Sequence, residues 1–197
     1  MSLIRVATGN PGKLREFREI LSPLGYDVQG LEDFPGITIV EDGDTFEANA
    51  LIKANTIMNQ TGSPAIADDS GLVVDALGGR PGVNSARYAG VDGPEQDAAN
   101  RNLLLKELSG IPDPERSARF VCALAYCVPQ QEPLIFRGTF EGAIGYEERG
   151  ENGFGYDSIF LVQNDHRTSA ELSPKEKNAI SHRGEALAQF IDYIKAQ

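Results

Sequence analysis

The chain has 197 residues, 41% of them hydrophobic and 24% charged, with a formal net charge of -11. That length and composition suit one well-packed domain spanning the whole chain, 1–197. No run approaches the ~18 apolar residues of a membrane span. The start, Met1-Ser2-Leu3-Ile4-Arg5, lacks a basic segment leading into an apolar core. No signal peptide is therefore expected, and the expected compartment is the cytoplasm. The acidic excess opposes binding to polymeric nucleic acid, which draws on many cationic contacts. A phosphate ligand would be small and would arrive with a metal cation. His166 and His182 are the only histidines, and no Cys/His ligand spacing occurs. A zinc site is thus disfavoured, whereas carboxylates favour Mg2+ or Mn2+.

In chain order, a strand over 3–7 leads into Thr8-Gly9-Asn10-Pro11-Gly12-Lys13. A helix over 13–24 follows, with Leu14, Phe17, Leu21 and Leu24 on one face and Gly25 as its stop. Unpaired N–H groups, the positive end of the helix dipole and the Lys13 charge make this junction suited to phosphate. It is neither a Walker A motif nor Gly-x-Gly-x-x-Gly, and a plain strand-to-helix turn reads equally well. Glu41-Asp42-Gly43-Asp44 precedes a helix predicted over 45–60. Asp44 or Thr45 serves as its N-cap, which leaves Glu41 as the better metal-ligand candidate, with a solvated acidic loop as the simpler reading of the segment. On this helix Phe46, Ala50, Lys53 and Ile57 share one face at ~100° per residue. Lys53 must then snorkel out, pair with an acid or look into a cleft. Asn49, on its flank, either helps a neighbouring loop or joins the same site.

A short strand over 64–68 exits into Asp68-Asp69-Ser70-Gly71, and a second strand covers 72–74. Neighbouring strand residues point oppositely, so the two acids should differ in role. One would bind metal or act as a base while the other braces a turn; an Asp-rich turn without chemistry is the plainer alternative. Residues 78–94 and 110–114 read as loops around a helix over 97–108. Strands over 120–128 and 134–139 form a hairpin joined by Pro129-Gln130-Gln131-Glu132-Pro133. Cys122 and Cys127 lie five steps apart on its first strand, roughly 16 Å, too far to bridge. They are expected to be packing residues in a reducing compartment.

Gly153-Phe154-Gly155-Tyr156-Asp157 precedes a strand over 158–162. An aromatic there either stacks on a flat base or plugs the core, the core role suiting Tyr156 better than Phe154. Ser173-Pro174-Lys175-Glu176 is a capping box opening a helical segment within 174–196. Ile180, Leu187, Ile191 and Ile194 should bury one face, with Gly184 as the point of interruption. Lys177, His182 and Arg183 bring hydrogen-bond donors to this segment. Strand and helix alternate early and a hairpin follows, so the chain reads as α/β around a mixed sheet.

Taken in order, these motifs resemble the non-canonical purine nucleoside triphosphate pyrophosphatase, or Ham1-like, family. The resemblance runs through Ala7 to Lys13, Thr45 to Ala54, Ala67 to Leu72, Leu77 to Gly82 and Ser85 to Tyr88. It closes with Gly153 to Asp157 and Lys177 to Arg183. Two departures stand out: Ala48 where many members carry glutamate, and Ser158 where proline commonly follows. The resemblance implies an elongated mixed α/β fold, with two lobes around a nucleotide-binding cleft, and a homodimer. It implies hydrolysis of ITP, dITP and XTP to monophosphate and pyrophosphate. Thr8, Gly9, Asn10, Pro11, Gly12, Lys13 and Ser70 would bind the triphosphate. Lys53 and Asp69 would be catalytic, with Mg2+, or Mn2+ in its place, on Glu41 and Asp69; Asp68 is a second-choice ligand. Phe154, Gly155, Tyr156, Asp157, Lys177, His182 and Arg183 would receive the base. A pyrophosphatase for modified pyrimidine nucleotides and a nucleotide sensor without turnover remain the competing readings.

Overall fold

The computed structural model describes residues 2–196. Among them the elements run β1 (Ser2–Val6), α1 (Pro11–Leu21), β2 (Tyr26–Gln29), α2 (Phe46–Thr61), β3 (Ala65–Val74) and α3 (Gln96–Glu107). Then follow β4 (Ser117–Cys127), β5 (Leu134–Ile144), β6 (Phe160–Val162), α4 (Pro174–Ile180) and α5 (His182–Lys195). The strands form one sheet in the order β2-β1-β3-β4-β5-β6. β1 runs parallel to β2 and β3, and β6 antiparallel to β5. The fold is therefore mixed α/β, as the sequence implies.

The chain divides into two compact units. The first comprises Met1–Asp69, Cys122–Gly138 and Arg183–Gln197. Its core gathers Leu14, Phe17 and Leu21 of α1, Ile66 of β3, and Leu187 and Phe190 of α5. The second comprises Ser70–Val121 and Thr139–His182. Its core gathers Leu72, Leu104, Phe120, Phe140, Tyr156 and Phe160. Cys122 and Cys127 are buried thiols on β4, as expected of packing residues.

Several sequence expectations need correction. α1 ends at Leu21, and Ser22–Leu24 tightens into a 3-10 turn closed by Gly25 at φ +88°. The tighter winding, about three residues per turn, takes Leu24 off the buried stripe and leaves it 45% exposed. β2 is absent from the sequence reading; it is four residues long, and Val28 is its one buried residue. The strands expected over 64–68 and 72–74 are a single strand, β3, so Asp68-Asp69-Ser70-Gly71 is mid-strand and not a turn. The last helical segment breaks at Ser181, whose backbone is extended (φ -77°, ψ 159°), and not at Gly184. Ile180 ends α4 ahead of that break and is 49% exposed, so it does not join the buried face of α5.

Candidate functional site

In the first unit, β1 delivers the chain into the loop before α1. The Ala7 N–H reaches the Ile66 carbonyl at 2.8 Å, which ties the loop's start to β3. Asn10 is the N-cap, its side chain accepting from the Lys13 N–H at 3.1 Å, and Pro11 takes the first helical position. Thr8 is buried and its hydroxyl accepts from the Asn10 N–H at 3.2 Å, while Gly9, Asn10 and Pro11 face solvent. The junction expected from sequence therefore forms. Lys13 extends from it to Asp68, with 3.1 Å between Nζ and Oδ2.

β3 alternation separates the two acids. Asp68 meets Lys13 of α1 and Arg183 of α5, whose Nε and Nη2 donate to Oδ2 at 3.2 and 3.0 Å. Arg183 also donates through Nη1 to Glu16 of α1, and all three of Asp68, Arg183 and Glu16 are buried. Asp69 meets α2 instead: Lys53 Nζ donates to Oδ1 at 2.9 Å and Asn49 Nδ2 to Oδ2 at 3.2 Å. Lys53 Nζ also donates to Glu41 Oε2 at 2.8 Å. Asn49 pins the acidic loop as well, its Oδ1 accepting from the Gly43 N–H at 2.8 Å. A Cβ at Gly43 would crowd that oxygen, which is why glycine stands there.

Of the three readings open for Lys53, pairing with acids is the observed one. Burial lowers its pKa, but Asp69, Asp68 and Glu41 together outweigh that and hold the ammonium above its ordinary value. For Asp69 burial is the largest effect and raises the pKa; Lys53 and Lys13 pull the other way without cancelling it. A carboxylate held above its usual range is a better proton acceptor than an exposed one, and the neighbouring cations keep it usable.

In the second unit, Gly153 at φ +78° and Gly155 at φ +62° bend the aromatic loop. Asp157 is buried and its Oδ2 accepts from Lys177 Nζ at 2.7 Å and from the Phe154 N–H at 2.9 Å. A Cβ at Gly153 would collide with that carboxylate. Lys177 Nζ stands 4.9 Å from the centroid of the half-buried Phe154 ring. Tyr156 takes the core role, donating from its hydroxyl to the Ser85 carbonyl at 2.7 Å. Gly155 is fixed by hydrogen bonds to α3. His182 is buried and stacks on Phe120, with centroids 5.1 Å apart. Ser70 is a half-buried residue of β3.

Thr8 to Lys13, Glu41, Lys53, Asp69 and Arg183 thus belong to the first unit; Ser70, Phe154 to Asp157, Lys177 and His182 belong to the second. Asn49 does both things the sequence left open, holding the neighbouring loop and joining Lys53 at Asp69; Glu16 escapes the sequence reading, since its pairing does not follow from helical periodicity. Among the described residues no group of three His, Cys, Asp or Glu side chains is placed to hold a metal ion. Glu41 and Asp69 do present hard oxygen donors that meet at one ammonium. That donor set fits Mg2+, which needs only one or two carboxylates when phosphates and waters complete its shell.

The protein is thus a mixed α/β one with a lysine at a helix entrance and another against buried acids. The comparisons make this specific. The Ham1 family model matches residues 4–193. A dITP/XTP pyrophosphatase of Bacillus licheniformis is 57% identical over 192 residues, covering 96% of both chains. The structure of a HAM1 protein from Coxiella burnetii superposes with a TM-score of 0.88 at 45% identity, covering 100% of each chain. The Staphylococcus aureus Ham1 protein gives 0.85 at 40% identity, covering 99% of each. This chain belongs to the Ham1 family.

Proposed function

We propose that the chain is a nucleoside-triphosphate pyrophosphatase that hydrolyses dITP, ITP and XTP to the monophosphate and pyrophosphate. The observation that carries the reading is Asp69: buried, shifted toward neutrality, and oriented by Lys53 and Asn49. In the proposed reaction Asp69 accepts a proton from the water that attacks the α-phosphorus. The bond from that phosphorus to the bridging oxygen breaks, and pyrophosphate leaves. Lys53 keeps Asp69 ionised and offers charge to the phosphates. Thr8 to Lys13 and Ser70 supply N–H, hydroxyl and ammonium donors to the triphosphate. Glu41 and Asp69 would hold Mg2+, or Mn2+ in its place, which when bound neutralises phosphate charge and eases pyrophosphate departure. Asp68, engaged by Lys13 and Arg183, is assigned to holding those cations instead of metal.

Phe154 is the proposed stacking partner of the base, with Gly155 and Tyr156 shaping its loop and Asp157 and Lys177 beside it. Arg183 and His182 are proposed to donate toward a 6-oxo group. Adenine presents a donor at that position, and an unpaired buried polar group costs ~1–3 kcal/mol. The same proposal makes the protein a cytoplasmic homodimer that clears deaminated purine nucleotides. Turnover of dITP by Asp69→Asn tests it. A lost general base lowers kcat by about 10²–10⁴-fold with the fold retained, as circular dichroism would confirm. Wild-type rates in that variant would remove Asp69 from the chemistry.

A further inference from the structure

Helix α3 belongs to none of the motifs that carry the proposed reaction, yet it grips the aromatic loop at one residue. Asp97 Oδ2 accepts from the Gly155 N–H at 2.8 Å. Arg101, one turn later on the same helix face, donates through Nη1 to the Gly155 carbonyl at 2.8 Å. Both polar groups of the residue that follows Phe154 are thus held by a rigid element. Gly155 sits at φ +62°, so its backbone is one that other residues rarely adopt. Arg101 is braced in turn by an ion pair: its Nε lies 3.0 Å from Glu148 Oε2, an oxygen that accepts from the Ser158 hydroxyl at 3.1 Å. The Arg101 guanidinium beside it holds the Glu148 carboxyl below its usual range.

We propose that Asp97 and Arg101 are positioning residues that fix the Phe154 ring for the base, with Ser158 and Glu148 bracing Arg101. The ring is then held from both sides. Asp157 takes the Phe154 N–H, and α3 takes the two polar groups of Gly155. Holding the loop in its binding geometry removes ordering cost from substrate association, so its loss appears in KM. This inference rests on the stacking role proposed for Phe154, and the test separates the two.

Steady-state kinetics with dITP are compared for Phe154→Ala, Asp97→Ala, Asp97→Asn and Arg101→Met. Amide exchange at Gly155 is followed by NMR in the protein alone. Asp97→Ala and Arg101→Met are expected to raise KM about 3- to 10-fold, the worth of one hydrogen bond, with kcat unchanged. The Gly155 amide is expected to exchange faster in Asp97→Ala. Asp97→Asn keeps an acceptor oxygen and is expected to restore both readouts. If Phe154→Ala leaves KM unchanged, the stacking reading fails and this inference with it. If Phe154→Ala raises KM while Asp97→Ala and Arg101→Met do not, the clamp alone is overturned. An Asn variant as impaired as the Ala variant also contradicts the clamp.

Discussion

Lys53 occupies a position where the helix period demands an apolar side chain, and the structure shows why a cation is tolerated. Its ammonium is shared between Asp69 and Glu41, so neither buried nor half-exposed charge stands alone. Arg183 repeats the device on the other face of β3, shared between Glu16 and Asp68. Burying an ion is costly, and removing one partner leaves the others uncompensated. Arg183→Ala is therefore expected to destabilise the fold by about 3–5 kcal/mol, read as a lowered Tm by calorimetry. A Tm equal to that of the wild type would show that Glu16 and Asp68 do not depend on this cation.

At the scale of elements, α4 shows how much a short helix owes to its cap. Ser173 accepts from the Glu176 N–H at 3.3 Å, and the Glu176 carboxylate accepts from the Ser173 N–H at 2.8 Å. α4 has seven residues and carries Lys177, so its start cannot be spared. Ser173→Ala is expected to cost ~1 kcal/mol, or roughly 2–4 °C of Tm for a chain of this size. An unchanged unfolding curve would contradict the assignment. This capping box was legible in the sequence because its signal is local. So was the placing of Lys53, which needs only the helix period, and the opposite pointing of Asp68 and Asp69, which needs only strand alternation. What stayed hidden depends on distant partners. Asp-Asp-Ser-Gly reads as a turn because its β-propensity is poor, yet Lys13, Arg183, Lys53 and Asn49 supply the partners that let it run through a buried strand. β2 has too few apolar residues to announce itself. Asp97, Arg101 and Glu16 sit on helices whose apolar pattern says nothing about what their polar side chains will meet.

For the whole molecule, two cores divide the chain into units that each carry part of the recognised motifs. The first holds the lysines and acids proposed to take the phosphates, and the second the glycine-framed aromatic proposed to take the base. The net charge of -11 makes the basic residues of the site more informative, since they stand against the overall balance. Among the described residues no helix is long and apolar enough to cross a membrane. Both sets of groups are proposed to serve one reaction on one class of small molecule. The direct measurement is to incubate the purified protein and Mg2+ with dITP, ITP, XTP, ATP, GTP and modified pyrimidine triphosphates, and to separate pyrophosphate from orthophosphate. Rapid loss of dITP, ITP and XTP is expected, with pyrophosphate as the product and little loss of ATP. Release of orthophosphate alone, equal consumption of ATP, or tight binding of dITP without turnover would contradict the proposal.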